Sequence, residues 1–383
     1  MNTAIGLAHG LDGREAGLNA AQQALAHLSA GRPVTGIVFA SQEFNMADVL
    51  TGVTSLLPNL PWWGFSTMRV LMAEGEESHI VAVVLISGTD LRAQVHWFPT
   101  YSEKSALVAQ QLGQILSEQE GGAVQGVLLA LDGLNGDPLA LSAAFDGRSV
   151  AVAGGMADGD GQAKTYQLAG AQCGSGAMAA LCLGGKFALG VGAAHGWKPV
   201  GVYFKVTKAR GTWVQELDGV SPAEAYGRVF GYAPRDWGFP PLKNLIRLYP
   251  LALEGYEDLP RTPLHVEVNG NLRMNIPLQE GQRMRLMVGD TATCLEAARL
   301  AVRKALQSLG KARPGVALVF LDKAWRTLFE LNREQIVTAL QAELGDLPMV
   351  CVYTLGQLSA PSAQKVTFAN MLVAVTILGE ATD

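Results

Sequence analysis

Short apolar runs alternate with segments of helical spacing along the chain, which predicts a mixed α/β fold. Near the N-terminus, an Ala- and Leu-rich helix is predicted at Glu15–Ala30, between strands at Thr3–Gly10 and Val34–Ala40. Two later apolar runs, at His79–Ser87 and Leu91–Phe98, are joined by a short polar turn and predict a β-hairpin.

The same order of elements returns further along the chain. Gly36 in GIVFA lies 90 positions before Gly126 in GVLLA. Gly64 in WWGFST likewise lies 90 positions before Gly154 in AVAGGM. A second hairpin is predicted at 177–194, again after the repeated elements. These features predict an internal duplication, with a ligand cleft where the two halves meet.

The C-terminal half continues the alternation of strands and helices. A helix is predicted at Pro222–Phe230, and the Pro-, Gly- and aromatic-rich segment Tyr232–Pro263 indicates a linker or a docking segment. Helices at Asp290–Leu309 and Asn332–Leu344 follow, with strands between them. The predicted fold class is α/β: a layered sandwich of mixed sheets with an internally duplicated N-terminal region and a C-terminal α/β domain.

Composition excludes several classes of protein. Of the 383 residues, 49% are hydrophobic and 16% are charged, too few charges for a disordered chain. The net charge of -5 and the absence of a basic stretch argue against nucleic-acid binding. We expect a cytoplasmic protein, because the N-terminus lacks a signal peptide and no apolar run could span a membrane. P-loop, HExxH and CxxC motifs are absent from the sequence, so no cofactor and no metal are predicted.

Two arginines are the predicted anion-binding residues. Arg69 follows GFST and Arg326 lies in LDKAWR, and a guanidinium group matches the geometry of a carboxylate. Ordinary surface arginines are the alternative interpretation. Gly64, Gly154 and Gly155 are predicted to let a ligand approach backbone N–H groups that side chains would otherwise shield.

Two histidines stand at matching places in the repeat. His96 and His195 each end the second strand of a predicted hairpin, with a Trp within two residues. One hypothesis places both in one cavity, and the alternative is that they are ordinary satisfied or surface histidines. Cys173, among glycines, is a candidate nucleophile only if a base or helix N-terminus lowers its pKa; otherwise it is a structural thiol.

The most specific motif follows the second predicted hairpin. The segment HGWKPVGVYFKVTKARGTWVQELDGVSPAEAY (195–226) resembles the end of a FIST N domain. The motif residues of that family are present here as Gly196-Trp197-Lys198-Pro199, Gly201, Val206-Thr207, Leu217-Asp218-Gly219 and Pro222-Ala223. Residues 64–67 and 154–157 are similar to two upstream stretches of the family, and 263–288 and 353–357 are similar to a FIST C domain.

The sequence departs from the family pattern at several polar positions. Phe65 stands where the family usually has Cys, and Met68-Arg69 replaces a Gly-Glu pair. Asp322 stands at another Cys position, and Gly356-Gln357 replaces a second Gly-Glu pair. These departures leave two interpretations: the protein binds a different ligand, or the binding site has been lost.

The resemblance implies a domain plan and a role. It implies a lead-in at 1–34, a FIST N-like duplicated domain at 35–230 and a FIST C-like domain at 231–383. FIST domains are regarded as sensory modules of signal transduction that bind small molecules such as amino acids. The implied partners are a small-molecule ligand and a signalling protein, with no membrane.

Three hypotheses follow for the function. The first is a sensor of an amino acid or another small carboxylate. The others are a hydrolase using Cys173 or Ser66, and an interaction scaffold with a decayed site. In the sensor, Phe65, Trp197 and Tyr353 would wall the cavity. The predicted ligand-binding residues are Gly64, Phe65, Ser66, Thr67, Arg69, His96, Gly154, Gly155, Met156, His195, Trp197, Arg326, Tyr353, Gln357 and Asn370.

Overall fold

The first unit of the fold is a sheet with two helices on one face. The computed structural model describes residues 1–72, 75–118, 124–159 and 164–382. The elements of this unit are β1 (Asn2–His9), α1 (Gly13–His27), β2 (Pro33–Ser41), α2 (Met46–Leu56), β3 (Trp62–Thr67), β4 (Val70–Met72), β5 (Gly75–Glu77) and β6 (Ile80–Ser87). Four strands pair in the order β1–β6–β2–β3, and β2 and β3 are parallel.

The second unit has the same strand order, β7–β12–β8–β9. Its elements are β7 (Leu91–Phe98), α3 (Tyr101–Glu118), β8 (Gly126–Leu131), a 3-10 helix (Pro138–Phe145), β9 (Ala151–Met156), β10 (Gln167–Ala169), β11 (Gln172–Gly174) and β12 (Met178–Gly185). Asp137 caps the 3-10 helix by accepting from Leu139 N–H at 2.9 Å, and Pro138 fits its first turn because proline lacks an N–H to satisfy there.

The third unit contains a long insertion after its first strand. The strand order is again the same, β13–β24–β20–β21. The insertion comprises β14 (Trp197–Arg210), β15 (Trp213–Leu217), α4 (Pro222–Phe230), two 3-10 helices (Pro234–Gly238 and Ile246–Leu248), α5 (Leu242–Leu245), β16 (Leu251–Leu253), β17 (Pro263–Val266), β18 (Leu272–Met274) and β19 (Arg283–Gly289). The unit itself is β13 (Ala188–Ala194), α6 (Thr291–Leu309), β20 (Arg313–Asp322), α7 (Lys323–Phe329), α8 (Glu334–Leu344), β21 (Met349–Thr354), β22 (Gln357–Ala360), β23 (Thr367–Ala369) and β24 (Val373–Glu380).

Each unit passes a short hairpin to a neighbouring unit. The hairpin β4–β5 extends the third sheet next to β21, β10–β11 extends the first next to β3, and β22–β23 extends the second next to β9. The exchange is cyclic, so each of the three sheets has six strands, and the insertion forms a fourth sheet of six among the described residues. The ends of β3, β9 and β21 are therefore held near one another.

The three sheets enclose a common core. Along β2, Ile37 and Phe39 face the core shared by all three sheets, whereas Val38 and Ala40 pack under α1 and α2. A strand that is buried on both faces reads as a continuous apolar run, which explains GIVFA. The mixed α/β class predicted from the sequence is confirmed.

The two predicted hairpins at 79–98 and 177–194 are wrong. The strands β6 and β7 lie in different sheets, and so do β12 and β13, because the tight turn leads from one unit into the next. The two corners meet each other, with Lys186 N–H donating to Asp90 O at 3.2 Å. A short turn between apolar runs indicates only that the chain reverses direction. Which strands pair depends on the sheet that each strand joins.

The structure also corrects the C-terminal half. Helix α4 begins and ends where predicted, and α6 follows its Asp290 cap as predicted. The segment Tyr232–Pro263, predicted to be a linker or a docking segment, is packed structure: Trp237 is fully buried and β16 pairs with β19. The sequence predicted two repeated units, whereas the structure has a third unit with the same strand order. The insertion between β13 and α6 hides the third unit from a search for a constant spacing.

Candidate functional site

The predicted residues at the ends of β3 and β21 do come together. The Thr67 hydroxyl donates to Tyr353 O at 2.9 Å and accepts from Tyr353 N–H at 3.1 Å. The hydroxyl of Ser66 donates to Asp158 O at 3.3 Å and accepts from Tyr166 N–H at 2.9 Å. These hydroxyl groups join strands of different units, so they satisfy backbone groups in the seam between the sheets.

Phe65 lies in the common core and does not line a cavity. Its ring is fully buried and packs against Phe39, Trp63 and Phe320, at centroid distances of 5.0, 5.8 and 6.0 Å. This position differs from the predicted place of Phe65 on a cavity wall. Large aromatic side chains fill the seam around Phe65, because the faces of three sheets meet there.

The predicted glycines are needed for close approach of strands. A Cβ atom at Gly64 would lie 1.8 Å from Val38 O, and one at Gly154 would lie 2.2 Å from Leu129 O. A Cβ at Gly155 would lie 2.6 Å from a methyl carbon of Thr354. Met156, the next residue, is buried as well. Protein atoms therefore occupy the space beside these glycines: backbone at Gly64 and Gly154, and a side chain at Gly155.

Arg69 and Arg326 converge on one carboxylate, that of Glu76 on β5. Arg326 Nε lies 2.8 and 3.0 Å from the two carboxylate oxygens, and Arg69 Nε lies 3.9 Å from the nearer one. Arg333 is the residue before α8, and its Nε lies 3.3 Å from Glu76 Oε2. The Tyr353 hydroxyl donates to the same carboxylate at 3.5 Å. We call Glu76, Arg69, Arg326, Arg333 and Tyr353 the arginine cluster.

The electrostatics of the arginine cluster favour an anion. The Glu76 side chain is only 9% exposed, and guanidinium groups stay charged at any physiological pH. Arg69 also pairs with Glu43 at its outer side. Burial, and then the negative charge of Glu76, raise the pKa of Tyr353 well above its ordinary value, so its hydroxyl remains a donor at neutral pH.

Sequence reasoning found two of the three arginines and missed Glu76 and Arg333. Neither residue lies in a motif, and both belong to short polar segments that give no periodic signal. Only the crossing of β4–β5 into the third sheet brings Glu76 to Arg326 and Arg333.

Gln357 and Asn370 belong to a buried network beside the arginine cluster. The Gln357 amide lies 2.7 Å from the Thr354 hydroxyl. Asn370 donates to Leu355 O at 2.7 Å and accepts from Thr262 N–H at 3.2 Å. Both amides are fully buried and bond within the protein, so their contacts order loops. Their predicted role as ligand-binding residues stays a prediction.

His96 and His195 lie in different grooves. His195 and Trp197 line a groove of about 1070 Å³ between α6, β13 and the loop after β22. His96 lines a groove of about 460 Å³ beside residues 58–61. Burial lowers the pKa of both histidines. The hypothesis that they share one cavity is therefore wrong, because it rested on hairpins that do not form.

Comparison with known families decides what kind of protein this is. The FIST N domain matches residues 35–220, and the FIST C domain matches residues 222–360. The chain belongs to the FIST family. FIST domains are sensory domains of signal transduction that bind small ligands. No curated protein matches this sequence.

Similarity to solved structures is weak. The chain is similar to "Structure of PurLQS from Thermotoga maritima", with a TM-score of 0.25 and 14% identity over 99% of this chain and 72% of that chain. It is also similar to "Crystal structure of cyanuic acid hydrolase from A. caulinodans", with a TM-score of 0.19 and 13% identity over 76% of this chain and 100% of that chain.

The FIST motif residues hold the inserted sheet to α6. A Cβ at Gly196 would lie 2.5 Å from Cys294 N, so only glycine lets β14 start this close to the helix. Trp197 Nε1 donates to Leu248 O at 3.0 Å, and Asp218 accepts from Lys205 N–H at 2.9 Å. These motif residues therefore position the start of β14 and join the end of β15 to β14.

The geometry of this FIST protein gives little support to the hydrolase hypothesis. Burial raises the pKa of Cys173 to about 11, so its thiol is protonated at neutral pH and is a poor nucleophile. The hydroxyl of Ser66 is engaged with two backbone groups, as described above.

No helix among the described residues is long and apolar enough to cross a membrane.

Proposed function

We propose that this FIST protein senses a small carboxylate, such as an amino acid or an organic acid, at the arginine cluster. One observation carries the proposal: Arg69, Arg326 and Arg333 all direct Nε atoms at one carboxylate, at 2.8 to 3.9 Å. A hydrogen bond between a guanidinium and a carboxylate is about twice as strong as one between neutral groups. The shape and charge of the cluster suit the end group of a small acid.

Residues from distant parts of the chain form the arginine cluster. Arg69 precedes β4 of the first unit, whereas Arg326 in α7 and Tyr353 in β21 belong to the third unit. A ligand that contacts both units stabilises one arrangement of them, and a ligand can shift an equilibrium only through such differential contacts. The location of the cluster between two units therefore supports the proposed sensing role.

The first test is a binding screen with acids and matched neutral compounds. We expect glutamate or succinate to raise the melting temperature in a saturable way, because binding stabilises the folded state by RT ln(1 + [L]/Kd). Succinamide, which has no charge, should have no effect. Arg333→Gln should weaken acid binding about 10- to 100-fold, since one charge-assisted hydrogen bond contributes about 1.5–3 kcal/mol.

A matched control keeps the test specific. Arg228 on α4 pairs with Glu224 on the exposed face of its helix, so Arg228→Gln removes an equal charge outside the cluster and should leave binding unchanged. Equal affinity of wild type and Arg333→Gln for the same acid would contradict the proposed site.

A further inference from the structure

We infer that Glu76 is an internal competitor for the carboxylate site: a small acid binds by displacing the Glu76 side chain, which releases β5 from the third unit. The inference rests on the proposed function and adds its regulation. The three exchanged hairpins allow the position of Glu76 to be compared with two equivalents in the same protein.

The equivalent positions in the other two hairpins are not charged. In the first hairpin Leu71 pairs with Glu76, in the second Leu168 pairs with Cys173, and in the third Leu358 pairs with Phe368. Cys173 and Phe368 pack against apolar clusters. A hairpin of this kind is thus held well without a charge, as those two hairpins show.

A carboxylate at this position is costly unless it is compensated. An ion that is 9% exposed loses most of its hydration, and replacing such an ion pair by apolar groups is often neutral or stabilising. Glu76 is compensated by guanidinium groups that also repel one another around it. Stability alone does not explain this arrangement, whereas an exchangeable anion site does.

The hairpin is built so that β5 can leave while β4 stays. Val70 and Leu71 of β4 are buried and pair with Val352 and Cys351 of β21. The strand β5 is at the edge of the sheet and, within the described part of the chain, pairs only with β4. The carboxylate of Glu76 is the group that ties this edge strand to α7 and to the start of α8.

The contacts of Glu76 define the ligand class. The end of its side chain is a methylene group carrying a carboxylate, which is also the end group of a small aliphatic acid. Such an acid in solution makes the same contacts with Arg326, Arg333 and Tyr353 once Glu76 has moved away. The measured affinity is then the intrinsic affinity reduced by the fraction of molecules in which the site is open.

The test compares wild type with Glu76→Gln, using succinate and glutamate as probes in calorimetry. Gln has the same size and no charge, so the guanidinium groups should bind the acid about 10- to 100-fold more tightly, as expected if the site is open in about 1–10% of wild-type molecules. Glu77→Gln is the control, because it changes the net charge by the same amount. Glu77 is the next residue on the same strand, so its side chain lies on the opposite face of the sheet. It should leave the affinity unchanged.

Two further measurements keep the test decisive if Glu76→Gln folds poorly. Glu76→Asp keeps the charge but shortens the side chain, and should give an intermediate affinity. In wild type, saturating succinate should increase hydrogen exchange at the amides of 75–77, because β5 is released, with no increase at 70–72.

The outcomes separate the two proposals. If wild type binds acids but Glu76→Gln binds them no more tightly, or exchange at 75–77 is unchanged on binding, the displacement is overturned and the proposed function stands. If neither wild type nor Glu76→Gln binds any acid, the proposed function fails, and the displacement fails with it.

Discussion

Buried carboxylates fix the ends of the central strands at the level of single residues. Asp132 follows β8 and accepts from Leu134 N–H at 2.9 Å and Gly176 N–H at 3.0 Å. Asp322 ends β20 and accepts from Ala324 N–H at 2.9 Å and Met371 N–H at 2.8 Å. Each carboxylate thus joins the start of the next segment to the turn before the last strand of its unit. Asp322, which stands where the family usually has Cys, therefore has a structural role.

The pH dependence of stability should carry the signature of Asp322. Burial raises the pKa of Asp322 to about 6, above the ordinary value of 3.8. The folded state therefore binds the proton more tightly than the unfolded state. The contribution of Asp322 to the free energy of unfolding should fall by about 3 kcal/mol as pH rises from about 4 to 6, and then stay constant.

Urea unfolding of wild type and Asp322→Asn at several pH values measures this contribution as the difference between the two proteins. Asp290 provides the opposite sign, because hydrogen bonds from Thr293 lower its pKa and its contribution is lost as pH falls. A difference between wild type and Asp322→Asn that does not change between pH 4 and 7 would contradict the assignment.

Helices protect the edges of the sheets at the level of elements. The strand β13 is at the edge of the third sheet, and Val191 N–H donates to Ser308 Oγ of α6 at 2.6 Å. Lys304 Nζ, one turn earlier, donates to a carbonyl of the same strand at 3.1 Å. On α1, Gln23 and His27 have the same spacing and contact β1 in the same way. Unpaired edge groups would otherwise invite pairing with another chain.

Ser308→Ala should expose this edge. The substitution leaves Val191 N–H without its acceptor, which should lower the free energy of unfolding by about 1–3 kcal/mol and speed hydrogen exchange at that amide. Ser142→Ala is the matched control, because the Ser142 hydroxyl donates to Leu139 O on an exposed helical turn. The control should change stability by less than about 0.5 kcal/mol. Equal effects of the two substitutions would refute this role of Ser308.

Cyclic exchange of hairpins interlocks the sheets of the three units at the scale of the whole molecule. The third unit lends β22–β23 to the second sheet, and β24 lies between β13 and β20 in the third. The FIST C match ends at residue 360, before β23 and β24. The residues after the match therefore contribute an inner strand and complete a neighbouring sheet.

Shortening the chain should test this cooperativity. A chain that ends at residue 360 lacks β23 and β24, so we expect it to lose the sharp urea transition and the near-UV circular dichroism of a packed core. A chain that ends at residue 380 keeps every strand and should unfold like the full protein. A cooperative transition at an unchanged midpoint for the shorter chain would show that the third unit folds without its inner strand.

Sequence reasoning succeeded for the parts of the fold where the signal was local. The Asp290 cap and Pro222 fixed the starts of α6 and α4, since capping depends on a few neighbouring residues. Arg69 and Arg326 were chosen for the chemistry of their side chains. Glu76 escaped notice because its importance depends on a hairpin that crosses between units.

The sequence by itself determined the class of fold, the family and most helix boundaries, because periodicity, caps and motifs act over a few residues. Only the tertiary structure decided which strands pair, since a turn at Gly88–Asp90 has the same sequence features whether it closes a hairpin or leads into the next sheet. The same holds for the glycines, whose role depends on the strand that lies beside them. Long-range pairing is a property of the assembled sheets, so the carboxylate inside the arginine cluster could be identified only in three dimensions.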